Sequence, residues 1–157
     1  LDDGITLSRN INVANQGNGT TTFGTLLGSS THTFSGNITL DKSAMLTAPT
    51  GGTVNLGTGT ISGSGGITKT GGGTVVLSNF NSFSGGTVVN QGILALNNGN
   101  TGTGVIRGTV TVNSGATLRI DAHDAFGYSS AAVSLTTINI NGPLSLIFNS
   151  YHDQKII

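Results

Sequence analysis

The side chains best able to do chemistry gather in one short stretch, Arg119-Ile120-Asp121-Ala122-His123-Asp124. Two carboxylates and an imidazole this close could hold a divalent cation or act as an acid/base pair. An extended backbone puts Asp121 and His123 on one face and turns Asp124 away. Asp121, His123 and Asp124 are therefore weak metal candidates. The preferred reading is an exposed loop whose Asp and His cap turns.

Other chemistry is harder to build. The remaining acids are Asp2, Asp3, Asp41 and Asp153, scattered along the chain, and there is no Glu. Carbohydrate-active sites need several carboxylates, or a calcium cage with a base, on one wall. A carbohydrate-active β-helix is thus a minor alternative. The glycine runs Gly63-Ser64-Gly65-Gly66 and Gly71-Gly72-Gly73 lack the Asp of calcium-binding nonapeptide repeats. They also lack the Lys-Ser/Thr of a phosphate loop, so they read as turns. Without cysteine there is no disulfide frame, thiol nucleophile or zinc–thiolate site. No catalytic residue and no cofactor is expected.

Composition tells what must position these residues. The 157-residue chain has a formal net charge of zero and only 8% charged residues. Nothing in that balance draws it to nucleic acid or to an anionic membrane. Thr, Val, Ile, Ser, Asn and Gly are abundant, which suits short strands joined by tight turns. Hydrophobic residues make up 35% and fall in alternating runs, the mark of a folded all-β chain rather than a disordered one. No run reaches the ~18 apolar residues of a membrane helix, and no membrane insertion is expected. Leu1–Leu7 does not read as a secretion signal, so any such signal is expected outside this sequence.

The runs repeat. Gly51–Leu56 parallels Gly72–Leu77, and Thr33–Ile38 parallels Ser82–Thr87. Asn90-Gln91-Gly92, Asn113-Ser114-Gly115 and Asn139-Ile140-Asn141-Gly142 each precede an alternating apolar run. Strand-turn units that bury no face alone must stack on their neighbours. The expected fold is all-β, a right-handed parallel β-helix (β-solenoid) forming one segment over residues 1–157. Turns of roughly 20–25 residues give about six or seven rungs. Val75, Leu77, Val89, Leu94, Leu96, Leu118 and Ile120 are expected to stack in aliphatic ladders inside. Thr and Ser face outward, and Asn forms amide ladders at the turns. Thr-x-Thr pairs such as Thr31/Thr33, Thr68/Thr70 and Thr109/Thr111 could order water on a flat wall. Their irregular spacing makes ice binding a minor alternative.

Residues 65–97 carry a more specific signal. Gly66, Lys69, Gly71, Gly73, Leu77, Ser78, Asn81, Phe83, Gly85, Gly86, Thr87, Val89, Gly92, Leu94 and Leu96 keep an ordered pattern of glycines, lysine and alternating apolar positions. This stretch resembles the autotransporter-associated β-strand repeat, or passenger-associated transport repeat, of type V secreted passenger domains. Residues 108–142 resemble the rungs that often follow it, and residues 1–64 match only in style. Phe80 stands where a small residue is usual, and Phe83 replaces the usual Tyr.

The resemblance implies a passenger at the surface of a Gram-negative bacterium or outside it, without a catalytic site. Its role would be adhesion, surface display or matrix. The implied partners are further β-solenoid rungs, either the rest of a longer chain or copies of itself end to end. Surface carbohydrate or a host receptor are candidate ligands. The apolar stretches Leu144–Phe148 and Ile156-Ile157 do not read as polar caps. That raises the alternative of a subunit stacking head to tail into an extracellular filament.

Overall fold

Runs of Thr, Val, Ile and Leu closed by Gly or Asn become short strands, because β-branched side chains fit the pleat and the turns need small or polar residues. The computed structural model describes residues 4–24, 28–97, 104–122, 125–126, 137–141 and 146–148. The first turn holds β1 (Thr6–Leu7), β2 (Ile11–Val13) and β3 (Thr21–Gly24). The second holds β4 (Thr31–Phe34), β5 (Ile38–Leu40) and β6 (Ala44–Thr47). The third holds β7 (Thr53–Leu56), β8 (Ile61–Gly63) and β9 (Ile67–Thr70). Later turns carry two described strands each: β10 (Thr74–Leu77) and β11 (Thr87–Val89), β12 (Gly92–Leu96) and β13 (Thr109–Asn113), β14 (Ala116–Ile120) and β15 (Thr137–Asn141). β16 (Leu146–Phe148) begins the next.

The strands stack as a parallel β-solenoid, with no helices among the described residues. A seven-stranded sheet runs β1-β4-β7-β10-β12-β14-β16 and a six-stranded one runs β3-β6-β9-β11-β13-β15. A third, three-stranded sheet is β2-β5-β8. The two main sheets are thus six and seven rungs tall, and the column makes about five turns.

Register turns alternation into ladders. In the first sheet Val54, Val75, Leu94 and Leu118 stack, as do Leu56, Leu77, Leu96 and Ile120. Of these, all but Leu56 are completely buried. Each such leucine is worth about 2 kcal/mol of burial. The similarity of Gly51–Leu56 to Gly72–Leu77 is a true stacking relation, with Thr53 beside Thr74 and Leu56 beside Leu77. The similarity of Thr33–Ile38 to Ser82–Thr87 is not. Thr33 and Phe34 lie in the seven-stranded sheet, whereas Thr87 begins β11 of the six-stranded one. The same local turn pattern serves two different corners.

Amide ladders form where the sequence suggested them. Asn113 donates through Nδ2 to Oδ1 of Asn90 at 2.7 Å, and Asn141 donates likewise to Asn113 at 3.0 Å. Asn113 both gives and accepts along the column, so the rungs are tied outside as well as inside.

Candidate functional site: polar staples inside the repeat

Alternation in β9 places Ile67 and Lys69 inward and Thr68 and Thr70 outward. Lys69 therefore stands in an apolar ladder, between Leu46 of the turn before and Val89 of the turn after. Its side chain is fully buried. The aliphatic stem fills the ladder while the ammonium reaches backbone carbonyls at the strand end. Nζ donates to the oxygens of Thr70 at 2.8 Å, Gly71 at 2.8 Å and Gln91 at 3.0 Å. An ammonium has three protons to donate, and all three are used. Burial pushes its pKa down from 10.5 to about 8. The three carbonyl dipoles oppose that push, so the group stays largely charged at neutral pH. Chemically the arrangement is a clamp rather than a nucleophile. It ties Thr70 and Gly71 of one turn to Gln91 of the next.

Asn81 does similar work on the third wall. Its Oδ1 accepts from the Ile61 amide at 2.8 Å. Its Nδ2 donates to the oxygens of Ser78 at 3.3 Å and Val105 at 2.8 Å. One buried side chain thus joins three levels of the column. Backbone bonds from Ser82 to Ile61 and from Ser84 to Gly63 continue the β8 pairing through this loop. They set Phe83, 2% exposed, beside Gly63, where the wall has no side chain of its own. The glycines of the segment hold the backbones close. At Gly66 a Cβ would collide with the carbonyls of Gly85 and Gly86. At Gly92, with φ of 65°, it would collide with those of Gly71 and Gly73.

These features fall in one segment. Residues 67–96 match the passenger-associated-transport-repeat. The matched repeat is β9 through β12, one strand pair in each main sheet. Lys69 and Gln91 both lie within it, so the clamp closes the repeat on itself. Asn81 reaches outside it in both directions, to Ile61 and to Val105. No curated protein and no solved structure matches the chain.

The charged cluster at 119–124 is placed differently. β14 ends at Ile120, so Asp121 lies just past the strand. Both oxygens of Asp121 accept from Nε of Arg119, at 2.8 and 3.1 Å. His123 and Asp124 lie outside the described residues. Among the described residues no three of His, Cys, Asp and Glu gather to hold a metal ion. Among the described residues no helix is long and apolar enough to cross a membrane. The Thr-x-Thr pairs are split between walls: Thr31 and Thr33 lie in the seven-stranded sheet, Thr68, Thr70, Thr109 and Thr111 in the six-stranded one.

Besides Lys69, two polar residues went unread as inward-facing in the sequence. Thr87 is buried between Ile67 and Val110, and His32 is buried in β4. The signal for His32 was available. In Thr31-His32-Thr33-Phe34, alternation gives His32 and Phe34 the same face.

Proposed function

We propose that this chain is a structural stalk segment of an autotransporter-type passenger, exported to the surface of a Gram-negative bacterium, without catalysis of its own. The observation that carries the reading is the position of residues 67–96. The matched repeat is not an appendage; its four strands are consecutive members of both main sheets. That repeat is associated with secreted passengers. The buried polar groups of the segment support a structural role, because Lys69 and Asn81 are engaged with backbone atoms of neighbouring turns. A surface made of short ladders and tight turns can fold rung upon rung as each emerges, since each turn needs only its neighbour.

The reading is tested by placing the chain between an export signal and an outer-membrane β-barrel in a Gram-negative host. Intact cells should display it to an external antibody. Added protease should leave a resistant core that includes residues 67–96. Retention inside the outer membrane, or digestion to small peptides, would overturn the proposal.

A further inference from the structure

The third wall changes character inside the matched repeat. Backbone bonds from Ser82 to Ile61 and from Ser84 to Gly63 put Asn81 level with Ile61 and Phe83 level with Gly63. One rung earlier, the Ile38 amide takes the carbonyl of Thr60, the residue preceding its partner Ile61. By that pattern the Ile61 amide would take the carbonyl of Phe80. It takes Oδ1 of Asn81 instead, at 2.8 Å. A side-chain amide thus replaces a peptide carbonyl in the ladder and frees the backbone at 79–80 from the pairing. Asn79 carries the turn at φ 57°, the one non-glycine residue with positive φ among those described. Its Nδ2 donates to the Gly57 carbonyl at 3.3 Å. Phe80 is left 48% exposed, more than any other large hydrophobic residue described. Single exposed apolar side chains are ordinary. This one is held out by a left-handed asparagine and a buried amide, and backbone outliers of that kind gather at functional sites.

The wall beside Phe80 is polar and carries little charge. Thr39, Ser62 and Ser82 form one outward column along it. Asn37 and Thr60 form the neighbouring column, with the Thr60 amide donating to Oδ1 of Asn37 at 3.0 Å. The described charged groups near this wall stand at its margins: Arg9 before β2, and Asp41 and Lys42 after β5. The Lys42 ammonium is taken up by the Gly19 carbonyl at 2.8 Å. We propose that Phe80 is a stacking platform for a neutral sugar ring, with Thr60, Ser62 and Ser82 meeting the sugar's hydroxyls. One face of a pyranose carries slightly positive C–H groups, which suit the negative face of an aromatic ring. Its hydroxyls need donors and acceptors close by, and rungs ~4.8 Å apart repeat them along the column. A wall with its charges at the margins gives no electrostatic preference to an ionic partner. The ligand class is therefore an uncharged saccharide chain lying along the wall, bound without any covalent step.

The experiment is affinity electrophoresis of the purified 157-residue chain in native gels containing dextran, galactomannan or hydroxyethyl cellulose, with alginate as the anionic control. At least one neutral polymer should slow the chain, and alginate should not. Phe80→Ser should weaken that retardation about tenfold or more. Because Phe80 lies outside the core, the same variant should keep the urea midpoint of the original chain. Phe80→Trp retains an aromatic face and should retain binding. Unchanged mobility in all the neutral gels would overturn the proposal. So would retardation that survives in Phe80→Ser, or retardation by alginate alone. Phe80-dependent dimers in sedimentation, without retardation, would assign the residue to a second copy and overturn it as well.

Discussion

Lys69 and His32 occupy the same kind of place, an inward ladder position in a wall of aliphatic side chains, yet they are accommodated in opposite ways. Lys69 has a stem long enough to carry its charge out of the ladder to the strand end, where three carbonyls receive it. His32 is short and flat, and its Nδ1 finds nothing. At Lys69 a turn presents oxygens to the buried ammonium. Side-chain length decides whether that turn is in reach. One site joins successive turns through its charge, and at the other the imidazole Nδ1 meets no partner.

The strongest break of this comparison puts a charge where neither arrangement exists. Leu94 is fully buried between Val75 and Leu118. Leu94→Asp should cost more than about 4 kcal/mol and abolish cooperative unfolding, because the carboxylate has no partner there. Circular dichroism with a urea titration reads this directly. A variant that still unfolds cooperatively near the original midpoint would mean that the ladder is not the core.

Removing the clamp should come next in size. Lys69→Ala leaves a cavity and three carbonyls without their donor, for a loss of about 2–4 kcal/mol. Lys69→Met keeps most of the packing and should lose about half as much. Equal stability of Lys69→Met and the original chain in urea would assign the joining of the two turns to the stem alone.

A smaller effect follows from the depressed pKa. Lys69 titrates at about 8 when folded against 10.5 otherwise. Between those values the unfolded chain binds more protons than the folded one, so stability rises with pH across the window. The cost of the buried charge is fully present below about pH 8. The expected gain from pH 8 to 10 is about 1–2 kcal/mol, held below the full shift by the three carbonyls. It should vanish in Lys69→Met. Denaturation midpoints that fall with pH equally in both proteins would contradict it.

The smallest effect belongs to the partly exposed pair. Arg119 and Asp121 are 29% and 21% exposed. Asp121→Ala should shift stability by no more than about 0.5 kcal/mol, because such pairs gain little over water. His123→Ala and Asp124→Ala should do as little. A larger thermal shift for any of the three would restore the cluster as a site.

Much of the column was legible because strand alternation and turn residues are local signals. Val75, Leu77, Leu94 and Leu118 show their inward face by spacing alone. The stacking of Thr53 on Thr74 follows from a repeated hexapeptide. The likeness of Thr33–Ile38 to Ser82–Thr87 misled, since turns of unequal length carry similar motifs to different walls. His32, Lys69 and Thr87 were missed as inward residues because polarity suggests an outward face. Their alternation with Phe34, Ile67 and Val89 says the opposite.

The sequence alone determined a parallel solenoid with aliphatic ladders, glycine corners and a passenger-type repeat at residues 65–97. These depend on neighbours along the chain and on a periodic need for burial. Only the tertiary structure decided which polar side chains turn inward and what meets them there. Gln91 faces Lys69, and Val105 faces Asn81, because unequal turns brought them to one corner. No such turn reaches His32. Partners between turns are set by register, and register belongs to the stack rather than to any one rung.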